Sequence, residues 1–207
     1  MTPTQRYNQL LAQKLIEEFE KRNMEGYYCE TKADALKKLL DIIPKETVVS
    51  YGGSVTLKET GAIEALTSGD YRFLDPNAAA GATEKEKIAH DALNADYYLM
   101  SANAISMTGE LVNADGIGNR VAALAFGPKH VVIIAGMNKV ETNLESAIMR
   151  VKTQAAQKCL LLYKQDYSSF DELSQAASGI ISQLVITSMT NFKGRIKIIL
   201  VGENLGN

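Results

Sequence analysis

A stretch rich in glycine, amide, carboxylate and basic side chains occupies residues 106–140 of a chain of 207 residues. Between short apolar runs it carries nine polar or charged side chains: Glu110, Asn113, Asp115, Asn119, Arg120, Lys129, His130, Asn138 and Lys139. Glycine allows tight connections and close backbone approach, so this spacing is typical of loops that gather polar side chains over strand ends. The stretch predicts a binding or catalytic site. The alternative is a pair of hairpin turns with solvated tips.

Glu110 is our candidate for acid, base or nucleophilic chemistry. It is the acidic side chain that directly follows Thr108 and Gly109, in a stretch that otherwise gathers amides and positive charge. Burial among apolar strands would raise the pKa of its carboxyl group into a range useful for proton transfer. The alternative is that Glu110 is a solvated residue at the end of a strand.

The remaining polar residues of the stretch predict a site for an anion. Arg120 offers a planar guanidinium fork for a carboxylate or phosphate, and Asp115 and Asn119 could hold a polar ligand beside it. Lys129 and Lys139 add positive charge to the same region. The alternative is that the loop residues brace one another internally.

A second candidate site is the turn Gly52-Gly53-Ser54, which follows a predicted strand at residues 47–51 and opens a predicted helix at residues 54–66. Unpaired N–H groups at a helix N-terminus carry positive partial charge, so anions bind there. The sequence lacks the Gly-Lys-Ser/Thr of a P-loop, and the alternative is a plain strand-to-helix turn. The predicted ligand-binding residues of both regions are Gly52, Gly53, Ser54, Thr56, Glu59, Thr108, Asn113, Asp115, Asn119, Arg120, Gly127, Lys129, Asn138 and Lys139.

Short strands alternate with amphipathic helices along the whole chain. Strands are predicted at residues 27–30, 47–51, 71–74, 96–102, 130–135, 184–188 and 195–201, and helices at residues 1–24, 36–43, 54–66, 83–93 and 142–164. The last two helices begin with the capping-box pairs Thr83/Glu86 and Thr142/Glu145. Continuous apolar strands between helices indicate a mostly parallel sheet covered on both faces. We therefore expect one Rossmann-like three-layer α/β domain over residues 1–207, with the helix of residues 1–24 packing on the domain or on a partner.

Composition narrows the classes of partner. A net charge of -2 offers no broad basic field for nucleic acid or an anionic membrane surface, and no apolar run approaches the roughly 20 residues that span a bilayer. The two cysteines, Cys29 and Cys159, stand far apart, without a CxxC pair or a Cys/His cluster. Neither a disulfide framework nor a metal site is indicated, and we expect a cytoplasmic protein that binds neither nucleic acid nor membrane. Cys159 lies on the apolar face of the helix predicted at residues 142–164, so we expect it in the protein core.

The sequence does not predict dinucleotide binding. The DGIGN segment contains a GxG, but Val121 stands where the GxGxxG fingerprint needs its last glycine. No strongly helical run is expected directly after it, so we reject NAD as a cofactor.

Five blocks of the sequence resemble the LUD-domain family, the lactate-utilisation proteins. They are TGELV, DGIGNR and FGPKHVVIIAGMNKV in the polar stretch, SYGGSVTLKETG upstream and GRIKIILVGENLG downstream. The resemblance implies a fold similar to ribose-5-phosphate isomerase, glucosamine-6-phosphate deaminase and the CoA transferases. It also implies a link to the oxidation of lactate to pyruvate beside iron–sulfur and oxidoreductase partners. In the related folds a carboxylate near the position of Glu110 serves as base or nucleophile.

One departure from the family pattern bears on cofactors. The family commonly carries a cysteine cluster after the long helix, where an iron–sulfur centre or other metal is held. Residues 163–183 of this chain contain no cysteine. The ligands for such a cluster are missing, so we expect no metal and no cofactor.

Two function classes follow from the resemblance. In the first, the protein is an accessory or regulatory component of lactate oxidation that binds a small anion or a partner, with homo-oligomer formation open. In the second, it is a stand-alone enzyme on a phosphorylated sugar, CoA ester or folate, with Glu110 as acid, base or nucleophile.

Overall fold

The computed structural model describes residues 1–163 and 166–207, and its strands form two sheets. The strands are β1 (Glu25–Cys29), β2 (Val48–Tyr51), β3 (Arg72–Leu74), β4 (Tyr97–Met100), β5 (Ala104–Ser106), β6 (Leu111–Asp115), β7 (His130–Gly136), β8 (Val140–Glu141), β9 (Gln183–Thr187) and β10 (Ile196–Val201). The large sheet has the order β1-β10-β7-β4-β2-β3, and all of its pairs are parallel. The small sheet has the order β8-β5-β6-β9, and its β5–β6 and β6–β9 pairs are antiparallel.

Helices cover both faces of the large sheet. They are α1 (Pro3–Glu20), α2 (Lys32–Ile42), α3 (Val55–Glu59), α4 (Ala62–Ser68), α5 (Ala82–Asp91), α6 (Asn119–Phe126), α7 (Leu144–Arg150), α8 (Ala156–Tyr163) and α9 (Phe170–Ser178). Alternate residues of β7 enter two different cores, because side chains of a strand point to opposite faces. Val131 and Ile133 pack with α1 and α6, whereas Val132 and Ile134 pack with α2, α3 and α4. The predicted α/β fold with a mostly parallel, covered sheet is confirmed.

The N-terminal helix packs on the chain's own large sheet. Thr2 caps α1 by accepting a hydrogen bond from the N–H of Gln5, and the Gln5 side chain bonds back to the Thr2 N–H. Leu15 and Phe19 are fully buried in the core that β7 and β10 share with this helix. Within the described residues no helix is long and apolar enough to cross a membrane.

The small sheet is the part of the architecture that the sequence did not predict. The first part of the polar stretch, up to residue 115, folds into the β5–β6 hairpin, with Ala104 opposite Val112. The five-residue strand β6 is wholly buried although it contains an amide and a carboxylate. Strands this short, with polar residues among the apolar ones, carry too little periodicity to be predicted.

Two helix predictions near the candidate sites are wrong. The single helix predicted at residues 54–66 is divided into α3 and α4, because Gly61 adopts a left-handed conformation with φ of 71°. A helix does follow the DGIGN segment directly, since α6 begins at Asn119. Its first turn is capped from outside: the carboxylate of Asp115 accepts hydrogen bonds from the N–H groups of Arg120 and Val121.

The later helices also differ from prediction in their ends. The helix α5 starts after Gly81 without a side-chain cap, so the Thr83 capping box is wrong. In α7 the cap is Asn143 and not Thr142, since the Asn143 side chain accepts from the N–H of Ser146. A π-helical turn at Val151–Ala155 joins α7 to α8, and the predicted end at Lys164 lies outside the described residues. The helix α9, capped by Ser169, was not predicted.

Candidate functional site

A cavity of about 360 Å³ opens where the carboxyl ends of β2, β4 and β7 meet the end of β6 and helix α8. We call it the central cavity. Ligand sites in open α/β folds lie at this edge of the parallel sheet. Its polar or charged lining residues are Tyr51, Ser54, Thr56, Lys58, Asn77, Lys85, Ser101, Asn103, Asp115, Arg120, Lys139, Cys159, Tyr163 and Asn207.

Lys139 is the most buried charged side chain of the central cavity. It follows β7 at the end of a 3-10 turn, and only 4% of the residue is exposed. Its Nζ atom donates hydrogen bonds to the Oγ1 atom of Thr56 at 3.0 Å and to the Oγ atom of Ser101 at 3.1 Å. Residues that follow β2 and β4 thus bind the amine of a residue that follows β7.

Burial determines the charge state of this amine. Removal from water penalises the ammonium form and, together with the positive charge of Arg150, lowers the pKa of Lys139 to about 7, while the charge of Glu59 acts in the opposite direction. Within residues 1–163 and 166–207, no carboxylate lies within ion-pair distance of Lys139. Buried lysines are ordinarily paired with a carboxylate, so the absence of one here makes the central cavity the candidate site.

Positive charge dominates the lining of the central cavity. Lys58, Lys85, Arg120 and Lys139 are its cations, and Asp115 is its carboxylate within the described residues. The Asp115 carboxylate is already occupied, because it accepts from backbone N–H groups of the 115–121 loop and lies 3.5 Å from the Nε atom of Arg120. The lining of the central cavity therefore carries an excess of positive charge.

The side chain of Arg120 is held by a hydrogen bond within its own loop and by packing against Gly52. Its Nη2 atom donates to the carbonyl oxygen of Ala114 at 2.6 Å. Gly52 packs directly against its side chain, and a Cβ atom at Gly52 would lie 2.6 Å from Arg120 Cδ and 2.8 Å from the hydroxyl oxygen of Tyr98. Among the described residues, Nη1 of Arg120 has no protein acceptor. The two N–H donors of Nη1 are thus not engaged by the described part of the protein, and Arg120 is one of the residues that line the cavity.

The Gly52-Gly53-Ser54 turn was predicted to bind an anion through the N–H groups of the helix that follows it. In the structure it contributes to the cavity in a different way. The helix that it opens, α3, has only five residues. Ser54 caps it by accepting from the N–H of Leu57, and the Thr56 hydroxyl receives the bond from Lys139. Both hydroxyls are therefore engaged with the protein. No atom lies within 4 Å of a Cβ placed on Gly53, so the space above this residue is open.

Glu110 lies outside the lining of the central cavity, in the β5–β6 hairpin. Its carboxylate forms an ion pair with Arg22 at 2.5 Å and accepts hydrogen bonds from the hydroxyls of Ser106 and Thr108. Burial acts to raise the pKa of Glu110, but these donors outweigh it and the pKa is lowered. The expectation of a raised pKa is wrong, because the carboxylate is buried among donors and not among apolar strands. Thr108 is part of the same hairpin.

Lys129 and His130 lie at the opposite edge of the large sheet from Lys139. Both stand at the amino end of β7, whereas Lys139 follows its carboxyl end. Lys129 is largely exposed and lies 3.8 Å from Asp96, and the His130 ring stacks on Tyr97. Lys129 and Lys139 were predicted to lie together because they are close in sequence. This prediction is wrong, since the seven-residue strand β7 separates them.

Five other predicted residues do not line the cavity, and one of them, Gly127, lies beside Lys129 at the opposite edge of the sheet. Asn138 bonds to the N–H and carbonyl groups of Leu205, and Glu59 accepts from the N–H of Gly206, so both hold the C-terminal segment near Lys139. The remaining three are Gly127, which packs on the backbone of Ala123, Asn119, which begins α6, and Asn113, whose buried amide has no hydrogen-bond partner in the described structure.

Several lining residues were missed by the sequence analysis. Lys58 lies one turn beyond Ser54 on α3, so extending the glycine-turn motif by one helical turn would have included it. Lys85 comes from α5 and Ser101 follows β4, and neither lies in a recognisable motif. Only the fold brings these residues to the cavity.

The cysteines do not fit an iron–sulfur centre. Cys29 is buried in the core between the large sheet and helices α2, α3 and α4. Cys159 of α8 lines the central cavity and is half-buried, so the prediction that it lies in the core is wrong. Such clusters need four ligands, and two thiols on separate elements cannot supply them. Burial raises the pKa of the Cys159 thiol, which keeps it protonated. Among residues 1–163 and 166–207, no group of three or more His, Cys, Asp or Glu is placed to hold a metal.

Comparison with known proteins agrees with this fold. A family model described as the LUD domain matches residues 12–201. Among solved structures, a DUF162 family protein from Deinococcus radiodurans is similar, with a TM-score of 0.59 and 13% sequence identity over 94% of this chain and 98% of that chain. At this identity the likeness shows the fold alone. No protein of curated function matches the sequence.

Proposed function

Since the chain belongs to the LUD domain family, we propose that its central cavity binds a small anionic ligand and that the protein is an accessory or regulatory component of lactate oxidation to pyruvate. The family link to lactate utilisation supports the metabolic setting. A carboxylate such as lactate or pyruvate is the corresponding ligand class, and the cavity volume accommodates it.

The observation that carries the proposal is the charge balance of the cavity. Four cationic side chains line it, while its carboxylate, Asp115, is occupied by backbone N–H groups and Arg120. The Lys139 ammonium is buried with two hydroxyl oxygens as its acceptors. A carboxylate beside it would offset the cost of keeping this charge out of water.

A stand-alone enzyme is the second candidate function. Glu110 supports it less than the sequence suggested, because its carboxylate is engaged by Arg22, Ser106 and Thr108 outside the cavity lining. The observation in favour of this candidate is the Lys139 amine, whose pKa of about 7 makes it a base or nucleophile at neutral pH. Turnover on sugar phosphates, CoA esters or folates by the isolated chain would establish it.

A thermal-shift series tests ligand binding directly. Lactate, pyruvate, inorganic phosphate, sugar phosphates, CoA esters and folates are added to the wild-type protein and to Lys139→Met and Lys129→Met. A ligand at about 100 times its Kd stabilises the native state by about 2.7 kcal/mol. We expect a small carboxylate to raise the melting temperature of wild type and Lys129→Met but not of Lys139→Met. An equal rise in all three proteins, or none in any, contradicts the proposal.

Partner binding is a separate part of the proposal. Iron–sulfur or oxidoreductase proteins of lactate oxidation are the partners that the family link suggests, and a second copy of this chain is the alternative partner. We expect the chain purified alone under anaerobic conditions to contain no stoichiometric iron or sulfide. The partners are tested by co-purification from cells grown on lactate, with iron and sulfide assayed in the complex.

A further inference from the structure

We propose that the amine of Lys139 condenses with the carbonyl carbon of a small 2-oxo acid to form a covalent imine. The inference rests on the proposed anion site and assigns to it both a substrate class and a chemical step. Lactate, a 2-hydroxy acid, would occupy the same site without forming this bond.

The position of the amine is fixed by the fold. Thr56 on α3 and Ser101 after β4 hold the Nζ atom at 3.0 and 3.1 Å, and all three residues line the central cavity. The 3-10 turn that carries Lys139 is tied down by its neighbour Asn138, which bonds to both backbone groups of Leu205. The amine is therefore presented to the cavity by rigid elements and does not swing free in solvent.

The surroundings of the amine favour its neutral form. An ammonium group that is to remain charged when buried is normally paired with a carboxylate. Lys139 is 4% exposed and has only hydroxyl acceptors among the described residues. Arg150, itself buried, adds a repelling positive charge, and this effect is larger than the opposing effect of Glu59. Lysines in such settings serve as amine nucleophiles toward carbonyl substrates.

The remaining cations of the cavity match the carboxylate of the same substrate. Arg120 has one Nη atom without a protein acceptor in the described structure, and Lys58 and Lys85 lie on the same lining. A 2-oxo acid places its carboxylate on the carbon next to the carbonyl. Binding of that carboxylate by these cations would hold the carbonyl group near the Lys139 amine, which raises its effective concentration.

The bond changes are those of imine formation. The lone pair of Nζ attacks the carbonyl carbon, a C–N bond forms, and the π electrons of the C=O bond move to oxygen. This oxygen takes a proton and the nitrogen loses one, which gives a carbinolamine. A second proton transfer lets the C–O bond break, and water leaves as the C=N bond forms. No oxidant or reductant takes part, and the hydroxyls of Thr56 and Ser101 are the neighbouring groups that can relay the protons.

Borohydride trapping tests the inference. Pyruvate and cyanoborohydride are added to the intact protein, because hydride transfer to the imine carbon makes the adduct permanent. Intact mass and peptide mapping then locate it. We expect one adduct per chain on Lys139, formed at least about tenfold faster than on the exposed Lys129, and no adduct with lactate. Lys139→Arg retains the positive charge and should lose the adduct, while Lys129→Arg should keep it. Mapping of the wild type decides the site even where Lys139→Arg fails to fold.

The outcomes separate this inference from the anion site on which it rests. Pyruvate that stabilises the protein without a Lys139 adduct, or with adducts spread evenly over exposed lysines, overturns the imine and leaves anion binding intact. If pyruvate neither stabilises nor modifies the protein, the imine is also overturned. Stabilisation by lactate or phosphate then decides whether the anion site itself survives.

Discussion

The Nζ atom of Lys139 lies 3.0 Å from the Oγ1 atom of Thr56, a residue 83 positions earlier in the chain. This hydrogen bond joins the two glycine-containing stretches that the sequence marked as separate candidate sites. Thr56 follows the Gly52-Gly53 turn after β2, and Lys139 follows β7, so the bond exists because both strands end at the same edge of one parallel sheet.

Lys139→Met should remove a pH dependence of stability. The folded-state pKa of Lys139 is about 7, below the ordinary value of about 10.4, so the unfolded state binds more protons between these pH values. The stability of the wild type should therefore rise from pH 7 to pH 10, by up to a few kcal/mol. In Lys139→Met, which keeps the approximate volume, this rise should be smaller. Urea unfolding of both proteins at pH 7 and pH 9.5 measures it, and parallel profiles would contradict the assignment.

Gly52→Ala should destabilise the protein, whereas Gly53→Ala should not. A Cβ atom at Gly52 would overlap the Arg120 side chain and the Tyr98 hydroxyl, and overpacking of this kind costs about 1–3 kcal/mol. A Cβ atom at Gly53 meets open space. Melting temperatures of the two variants, which differ by one position, provide the comparison. Equal melting temperatures would mean that Arg120 is not held against Gly52.

Gly52→Ala should weaken anion binding, whereas Gly53→Ala should leave it unchanged. Displacement of Arg120 by Gly52→Ala should weaken binding of any anion found in the thermal-shift series, by at least about tenfold. Titration calorimetry on the folded fraction of each variant measures this. Wild-type affinity in Gly52→Ala would remove Arg120 from the proposed site.

Glu110→Gln should lower stability without lowering anion affinity. The carboxylate is bound by Arg22 and two hydroxyls, and loss of a partly buried, charge-assisted network of this kind costs about 1–3 kcal/mol. The lowered pKa of Glu110 contributes stability that is present above the ordinary value of about 4.3 and is lost as the pH falls through the folded-state value. Chemical unfolding from pH 6 to pH 3 should therefore show a shallower decline in the variant. A full loss of ligand binding or turnover at unchanged stability would restore Glu110 as a site residue.

The fold was largely predictable because its signals are local and strong. The apolar runs of β4 and β7 and the amphipathic helices around them have clear periodicities, and the family blocks cover most of the chain. Helix α6 was missed for a physical reason. Asp115 caps α6 from four residues outside the helix, and this contact has no sequence pattern of its own.

The candidate site was predictable only in part. Thr56, Arg120 and Lys139 were named from the two motifs, and the fold brings all three to one cavity. Lys129 was grouped with them by sequence proximity but lies at the other edge of the sheet. Lys85 was missed because α5 reaches the cavity only through the tertiary fold. The burial that shifts the pKa of Lys139 depends on residues from several elements, so no local pattern predicts it.

A nuclear magnetic resonance titration of the Lys139 side chain tests the central claim most directly. The protein is labelled with ¹³C and ¹⁵N in lysine, Lys139 is assigned by its absence in Lys139→Met, and its resonances are followed from pH 5 to pH 11 with and without lactate, which cannot form an imine. We predict a pKa of about 7 without ligand and a higher pKa with lactate bound, because the carboxylate stabilises the ammonium form. A pKa near 10.4 without ligand, or one that saturating lactate leaves unchanged, would contradict the account.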